Sequence, residues 1–343
     1  MRYCVSVTVD RMKLPLQHVG VVWEHLKPTH ADQLAELLAL VEESEGVPYR
    51  TSRTEIDDMF SRSEDNWSGV VGFDRNGSGK MLAFGYVGIS RDGLEQAVCQ
   101  GGVDPSSRGI GIGSSLLEWQ TKAGAKLVQS HFGGGRGRLT HTIHERNSEF
   151  LAVLESLGYV WEGSATELRI PVRRWCRPKT LPALLDIVPW APELDDGTRR
   201  AFNLVNGEIS QQSLRASKSD WAEINAGIRR DWSFVALNKE GDRPRVSGFI
   251  SVGGYEQDWE ALGWREGVLQ IVAALDTNTR DSVLEALIDA SVGALLEADV
   301  DKMSVTLDPT QDEATMKFYR DRGFEVSAWF HTYSKPLDSG VEN

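Results

Sequence analysis

The pattern of apolar and polar positions predicts a regular series of helices and strands. An amphipathic helix is predicted for residues 31–46, ADQLAELLALVEESEG. Its apolar positions fall on one helical face: Leu34, Leu37, Leu38 and Val41. A second helix is predicted around residues 54–62, followed by a hairpin of two strands within residues 66–90. The series is completed by a strand, a glycine-rich turn, a helix, a strand, a helix and a last strand. This alternation predicts the α/β class.

The same series is repeated in the second half of the chain. The tripeptide NWS at 66–68 recurs as DWS at 231–233, and each copy precedes a predicted hairpin. LGY at 157–159 is matched by RGF at 322–324. Corresponding segments are separated by about 165 to 172 residues, a spread that insertions in surface loops explain. We therefore predict two tandem copies of one fold.

Composition and length agree with two domains. The chain has 343 residues, of which 41% are hydrophobic and 25% charged, as is typical of globular proteins. The predicted domains cover residues 1–174 and 187–343. A linker is predicted at 175–186, because Pro178 and Pro182 interrupt both helix and strand patterns there.

Charge and cysteine content restrict the partners that we expect. The net charge of −13 repels the phosphates of nucleic acids, so nucleic acid is not expected as a partner. Cys4, Cys99 and Cys176 lie far apart, without the spacing of a metal site, and suit a reducing compartment. The sequence has no secretory pattern and no run of 18 apolar residues. We therefore expect a cytoplasmic protein without a metal ion or a membrane partner.

The segment RGIGIG at 108–113 carries the clearest chemical signal. It lies between a predicted strand, LEQAVCQGGV, and a predicted helix, so the N–H groups of the first helical turn form an anion site there. A phosphate-binding Walker loop is excluded because no lysine follows Gly113, and the dinucleotide-binding pattern fails at its last glycine. What remains is Arg108-x-x-Gly111-x-Gly113, preceded by Val103-x-Pro105.

These motifs resemble those of the GNAT superfamily of acyl-CoA-dependent N-acyltransferases. Downstream, the strand LTHTIHE, then Asn147, an apolar helix and Gly158-Tyr159 follow in the order that the family has. The resemblance implies two tandem GNAT-like domains, each with a mixed, mostly antiparallel sheet flanked by helices, a layout similar to that of the mycothiol synthases. It implies that acetyl-CoA is the co-substrate and that the turn binds its pyrophosphate. The residues implied in binding are Val103, Arg108, Gly109, Ile110, Gly111, Ile112, Gly113, Ser114 and Asn147.

The second domain departs from this pattern. Asp281, Val283 and Glu285 stand at the positions of the three glycines, while Arg108 has a counterpart in Arg280. Two carboxylates there would repel a pyrophosphate, so we expect no comparable acetyl-CoA binding in the second domain. We expect Asp281 to cap the following helix instead.

The catalytic residues are less clearly marked. In the family a tyrosine seven residues after the asparagine often protonates the leaving thiolate, but this position is Leu154 here, whereas the second domain has Tyr319. Glu95 is a candidate base or a solvated residue at the start of a strand. His144, like His141 beside it, is a candidate proton shuttle or a surface histidine.

The acceptor is expected to be a primary amine of a small molecule or peptide. Glu42, Glu43 and Glu45 end the first helix and either receive a cationic acceptor or form an exposed, charged helix end. Two functions remain open on the sequence: direct acetyl transfer in the first domain, or a catalytically inactive CoA-binding or interaction protein. Monomer and dimer also remain open.

Overall fold

A computed structural model describes residues 13–15, 20–90, 94–133, 137–177, 185–209, 215–225, 227–240, 243–276, 278–308 and 313–337. The chain divides into two compact units: unit 1 comprises Met1–Gly163 and His331–Asn343, and unit 2 comprises Ser164–Phe330. The predicted domain boundaries at 174 and 187 stay predictions. Residues 178–184 of the predicted linker lie outside the described residues.

The strands are numbered in chain order within the described residues. They are β1 (Val21–His25), β2 (Trp67–Asp74), β3 (Met81–Ile89), β4 (Gln96–Val103), β5 (Arg138–His144), β6 (Val160–Pro171), β7 (Leu185–Pro189), β8 (Phe234–Asn238), β9 (Arg245–Gly253), β10 (Glu266–Ala274), β11 (Lys302–Leu307) and β12 (Glu325–Pro336). The helices are α1 (Ala31–Glu45), α2 (Arg53–Ser61), α3 (Ile112–Phe132), α4 (Ser148–Ser156), α5 (Asp195–Ile209), α6 (Lys218–Ile224), α7 (Trp259–Leu262), α8 (Arg280–Glu297) and α9 (Glu313–Asp321).

Unit 1 is built on a mixed sheet with helices on both faces. Its strands follow in the order β1, β2, β3, β4, β5, and the residues of β12 from His331 onward lie beside β5. The neighbours from β1 to β4 are antiparallel, whereas β4 and β5 are parallel. Alternation along β3 places Phe84 in the core with α1 and α2, and Ala83 and Val87 in the core with α3.

The helix ends of unit 1 follow from local sequence. α1 ends at Gly46, whose φ of +63° lies in the left-handed region that glycine adopts without strain. α2 begins with a capping box, in which the Ser52 hydroxyl accepts a 3.2 Å hydrogen bond from the N–H of Glu55. These ends fix the segment 46–52, which borders the site described below.

Unit 2 repeats the order of elements in unit 1, with the short helix α7 added between β9 and β10, which confirms the predicted duplication. Its strands follow in the order β12 up to Phe330, then β6, β11, β10, β9, β8 and β7. β10 and β11 are parallel, and the pairs from β10 to β7 are antiparallel. Leu287 and Ile288 of α8 pack in one core, and Trp190, Trp221 and Phe249 form another. The predicted α/β class is thus confirmed, with a mixed and mostly antiparallel sheet flanked by helices.

Within the residues that the structure describes, no helix is both long and apolar enough to cross a membrane.

Candidate functional site

A buried carboxylate holds the start of the turn that follows β4. The side chain of Asp104 is 2% exposed. It accepts a 2.8 Å hydrogen bond from the N–H of Ser106, and its other oxygen lies 2.6 Å from Lys80 Nζ. Burial alone would raise the pKa of Asp104, but the hydrogen bonds from Lys80 and Ser106 outweigh it and lower the pKa. The turn therefore begins at a fixed, ionised side chain.

Two of the three glycines in the turn are required by the backbone, and the third is not. The φ angle is +78° at Gly109 and +95° at Gly111, a region that costs other residues roughly 1–2 kcal/mol. Gly113 lies inside α3 and has no positive φ. A Cβ at Gly113 would meet only Val103 Cγ2, at 3.9 Å, within the described structure. The packing of the protein itself therefore gives no reason for glycine at 113, and the space beside it is open.

The first turn of α3 has the geometry of an anion site. The N–H of Ser115 donates to the carbonyl of Gly111 at 3.1 Å, so the N–H groups of Ile112, Gly113 and Ser114 precede the intrahelical ladder. α3 is 21 residues long, and its dipole places about half a positive charge at this end. Such helix ends bind phosphate groups through backbone N–H groups.

The two parallel strands next to the turn separate from each other. The paired residues are Gln96 with Arg138, Ala97 with Leu139, and Val98 with Thr140. β4 nevertheless continues to Val103 and β5 continues to His144, and neither pairs with the other over these described ends. β4 stays paired with β3 as far as Val103. An opening that narrows toward Val98 is thus formed between β4 and β5, directly before the glycine turn.

Residues from three different elements meet beside the turn. Arg108 Nη2 donates a 2.9 Å hydrogen bond to Glu45 Oε1, and Arg108 Nε donates to the carbonyl of Val103 at 3.2 Å. Asn147 is the N-cap of α4, accepts from the N–H of Phe150 and also hydrogen-bonds to Glu45. Burial raises the pKa of Glu45, although Arg108 and Asn147 oppose the rise. Glu45 therefore joins two residues that the sequence motifs single out.

A second carboxylate of α1 is buried more deeply. Glu42 is 5% exposed and accepts hydrogen bonds from the N–H and the hydroxyl of Thr51, at 3.1 and 2.6 Å. Burial raises its pKa in spite of these bonds. Of the three glutamates at the end of α1, only Glu43 is exposed, whereas Glu45 is half-buried. The alternative of a wholly solvated helix end is therefore wrong for Glu42 and Glu45.

His144 lies at the end of β5 and is 3% exposed, so it is not a surface histidine. Its Nδ1 accepts a 3.2 Å hydrogen bond from the N–H of Arg146, which places the proton of the neutral ring on Nε2. The Tyr49 ring packs edge-on against the imidazole, with ring centroids 6.4 Å apart. Desolvation, together with the charges of Glu45 and Glu42, raises the pKa of Tyr49 to about 12. The Tyr49 hydroxyl is therefore protonated at neutral pH.

A cavity of about 320 Å³ lies on the side of the unit 1 sheet that α1 and α2 cover. Its polar wall residues are Thr51, Glu55, Asp58, Arg62, Tyr86 and Gln100. Arg62 donates hydrogen bonds to the Tyr86 hydroxyl at 2.9 Å and to the carbonyl of Ile89 at 2.7 Å. Asp58 makes no ion pair within the described residues. The cavity thus combines apolar walls from Leu34 and Phe84 with carboxylates, a surface that suits an amine.

The structure does not bring Glu95 to this group of residues. Glu95 is exposed and precedes β4, so eight residues of extended chain, roughly 26 Å, separate it from Val103. Its backbone carbonyl accepts a hydrogen bond from the N–H of Arg138. This placement is the solvated start of a strand.

Two further positions from the motifs are core residues. His141 is 3% exposed and packs against the rings of Phe150 and Tyr159, and burial lowers its pKa to about 4. Leu154 is fully buried, so it adds no acid to the site. Tyr319 of unit 2 is also buried, at 3% exposure. Among the described residues, no cluster of His, Cys, Asp and Glu has the arrangement of a metal site.

In unit 2, side chains that bond with one another occupy the positions of the glycine turn. α8 begins after Thr279, its N-cap, so the expected capping role of Asp281 is wrong: this residue is the second of the helix. Arg322 Nε donates to Glu285 Oε1 at 2.8 Å, and its Nη2 lies 4.0 Å from Asp281. Val283 is 3% exposed in the core. The helix start in unit 2 is therefore covered by its own ion pairs.

Sequence reasoning missed three residues near the site. Tyr49 and Arg146 lie in the segments that follow α1 and β5, and Arg146 Nη1 donates to the carbonyl of Gly46 at 2.8 Å. Loop residues carry no periodic signal, so nothing in the sequence marks these two. Gln100 lines the cavity from β4, where alternation with the inward-facing Cys99 was a usable signal.

Comparison with known proteins gives structural matches only. No family model and no curated sequence matches the chain. A GCN5-related N-acetyltransferase from Sphaerobacter thermophilus is 17% identical, with 94% of this chain and 98% of that chain covered and a TM-score of 0.65. A tandem GNAT protein from the clavulanic acid biosynthesis pathway is 16% identical, with 94% and 100% covered and a TM-score of 0.68. The N-myristoyltransferase of Saccharomyces cerevisiae, solved with myristoyl-CoA, is 13% identical, with 95% and 85% covered and a TM-score of 0.57.

The chain therefore has the GNAT fold in a tandem layout.

Proposed function

We propose that the protein is an N-acetyltransferase in which unit 1 transfers the acetyl group of acetyl-CoA directly to a primary amine of a small molecule or peptide. The observation that carries this proposal is the anion site at the first turn of α3, which follows two glycines of positive φ and is open at Gly113, where a Cβ would meet only Val103 among the described residues. It lies at the head of α3, beside the opening between β4 and β5. A ligand can therefore come close to the backbone N–H groups there without meeting a side chain of residue 113.

Acetyl-CoA fits the residues of this region. The pyrophosphate would accept hydrogen bonds from backbone N–H groups of the turn and of the first turn of α3. The residues proposed to form this contact are Arg108, Gly109, Ile110, Gly111, Ile112, Gly113 and Ser114. The opening between β4 and β5 offers an extended channel toward Val103, with Asn147 on the β5 side. The thioester would then lie between the end of β4 and the Glu45 carboxylate.

The cavity under α1 and α2 is the proposed acceptor site. Asp58 and Glu55 on its wall attract an ammonium group, and Leu34 and Phe84 contact the apolar part of the acceptor. The net charge of −13 attracts cations toward the protein, so a cationic acceptor should associate faster than an anionic one.

Glu45 and Tyr49 are the proposed proton carriers. Glu45 removes a proton from the ammonium group, and the free amine attacks the thioester carbonyl carbon to form the C–N bond. A backbone N–H near Val103 stabilises the developing oxyanion. The C–S bond then breaks, and the Tyr49 hydroxyl gives its proton to the thiolate. The nitrogen gives its second proton to solvent water, which also reprotonates Tyr49 and takes the first proton from Glu45. His144 packs edge-on against the Tyr49 ring and so helps to position it. Glu95 has no part in this mechanism because of its distance from Val103.

A second candidate function rests on Leu154. The buried leucine at the family's tyrosine position is what a CoA-binding protein without catalysis would also have. Incubation with acetyl-CoA and a panel of primary amines, with free thiol and acetylated product both measured, separates the two. Thiol release that depends on an amine and matches the acetylated product supports the transferase. Binding of acetyl-CoA without product from any amine supports the inactive protein, and thiol release without an amine would indicate hydrolysis.

A further inference from the structure

Unit 2 contains a cavity of about 750 Å³ beside α5, α6 and the segment before β8. Its volume is within the range of small-molecule sites, about 300–1,000 Å³. The wall includes Arg199 of α5, Trp221 of α6 and Asn225 at the end of α6. All wall residues belong to unit 2, so the cavity is separate from the site proposed in unit 1.

Three residues of this wall carry buried polar atoms without a hydrogen-bond partner in the described structure. These atoms are Trp221 Nε1, Asn225 Oδ1 and Arg199 Nε. Trp221 is only 3% exposed. A buried polar group without a partner is costly, and native proteins contain few of them. Three in the wall of one cavity mark a place where a ligand supplies the partners, an acceptor for two N–H groups and a donor for one carbonyl. Because these atoms are closed off from solvent, small side-chain rotations must open them to the ligand.

The same side chains are fixed by their remaining polar atoms. Arg199 donates from Nη1 to the carbonyl of Ala216 at 3.1 Å and from Nη2 to Asp196 at 2.9 Å. Asn225 Nδ2 donates to the carbonyl of Trp221 at 2.7 Å. The Trp221 indole stacks on Trp190, with ring centroids 6.1 Å apart. These contacts limit how far the side chains can turn, which reduces the entropic cost of binding.

The charges of the wall indicate what kind of ligand fits. Four acidic and four basic residues line the cavity. Most of them are paired: Arg230 binds Asp195 through two hydrogen bonds of 3.0 Å, and Arg229 binds Asp231. Within the described residues, Glu193 and Lys218 form no direct ion pair, and both are exposed at the rim. Lys218 is near enough to Asp196 to contribute to the lowering of its pKa. One unpaired charge of each sign suits a ligand that carries both signs.

We propose that this cavity binds a small zwitterion with one carboxylate and one ammonium group, of the class of free α-amino acids. The carboxylate accepts hydrogen bonds from Trp221 Nε1 and Arg199 Nε, and Lys218 adds attraction. The ammonium group donates to Asn225 Oδ1, and Glu193 adds attraction. The proposal does not depend on acyl transfer in unit 1.

The test is an NMR titration of the full-length protein labelled with ¹⁵N, in which the indole N–H signals are followed. The signal of Trp221 is assigned with Trp221→Phe. The probes are the L-α-amino acids, each with its amide and its N-acetyl derivative. We expect at least one amino acid to shift the Trp221 signal saturably. Its amide and its N-acetyl derivative are expected to bind at least tenfold more weakly, because each lacks one charged hydrogen-bonding group.

Two further variants complete the test. Asn225→Leu removes the acceptor and is expected to weaken binding at least tenfold, which keeps the test valid should Trp221→Phe fold poorly. Trp259→Phe is the matched control, because Trp259 Nε1 donates to the carbonyl of Glu266 at 3.2 Å and its variant should bind normally. The proposal is overturned if no amino acid at about 10 mM, well above a millimolar Kd, shifts the Trp221 signal. It is also overturned if the amides bind as well as the acids, or if acetyl-CoA alone shifts that signal.

Discussion

The Arg108 guanidinium donates a 2.9 Å hydrogen bond to the carboxylate of Glu45, which lies 63 residues earlier in the chain. This contact joins the glycine turn to the end of α1. Because Asn147 bonds to the same carboxylate, the turn, α1 and α4 meet at one ionisable group. The proposed base is thus held by the residues that are proposed to bind the co-substrate.

The first prediction concerns the pH dependence of transfer. A base must be deprotonated to act, so kcat/KM should fall as the pH drops through the pKa of Glu45, which burial raises above 4.5. Glu45→Gln should remove this acidic limb and lower kcat about 100-fold or more. Glu43→Gln, an exposed neighbour on the same helix, should keep the wild-type profile. If kcat/KM of Glu45→Gln still fell at low pH as it does in the wild type, Glu45 would be excluded as the base.

The second prediction concerns the acid. Tyr49→Phe removes the hydroxyl and should lower kcat about 100-fold, near the lower end for general acids, because a thiolate leaves readily. Since the pKa of Tyr49 is raised to about 12, its ionisation should produce no alkaline limb below that pH. Tyr255→Phe in unit 2 is the control and should transfer normally. If Tyr49→Phe had the kcat of the wild type, the thiolate would receive its proton from water and not from Tyr49.

The third prediction concerns the acceptor cavity. Asp58→Asn removes a carboxylate from its wall and should raise the KM for a cationic amine about tenfold, with little change in the KM for acetyl-CoA. Asp57→Asn is the control on α2, because Asp57 is the neighbour of Asp58 but pairs with Arg53 and does not line the cavity. It should leave the KM for the amine unchanged. Equal effects of the two substitutions would mean that the amine binds elsewhere.

The fourth prediction concerns stability and His141. Its folded-state pKa of about 4 is below the usual 6.5, so the unfolded chain binds the proton first as the pH falls. Stability from this residue should be lost between pH 6.5 and about 4, by up to about 3 kcal/mol. In His141→Leu, the free energy of unfolding should change less with pH in this range. Urea unfolding at several pH values measures it. The raised pKa values of Glu42 and Glu45 have the opposite effect and increase the stability as the pH falls. This effect is the same in the wild type and in His141→Leu, so the difference between their unfolding free energies reports on His141 alone.

Much of the fold was predictable because the local spacing of apolar residues determines its helices and strands. The helix predicted at 31–46 is observed as Ala31–Glu45, and the strand predicted up to Val103 ends there. α3 extends to Phe132 and is ended by Gly133, which has a φ of +74°. The duplication was visible because both copies repeat the same hairpin signals.

The site was predictable only where a motif marks the backbone. The glycine turn and Asn147 follow from such motifs, and the structure places them next to each other through Glu45. The contact between Tyr49 and His144 joins residues far apart in sequence, and no local pattern encodes it. Glu95 was selected by its strand position alone, which fixes a face of the sheet but not which end of the strand borders the site.

The most direct test of the central claim is a calorimetric titration of the full chain with acetyl-CoA, on the wild type, Gly113→Ala and Gly293→Ala. Both variants place alanine in a helix where glycine costs about 1 kcal/mol, so both should fold at least as stably as the wild type. A Cβ at Gly293 meets no atom within 4 Å in the described structure. We predict one site in the wild type and in Gly293→Ala, and at least tenfold weaker binding in Gly113→Ala. Undiminished binding by Gly113→Ala, or no binding by the wild type, would contradict the proposed acetyl-CoA site at the head of α3.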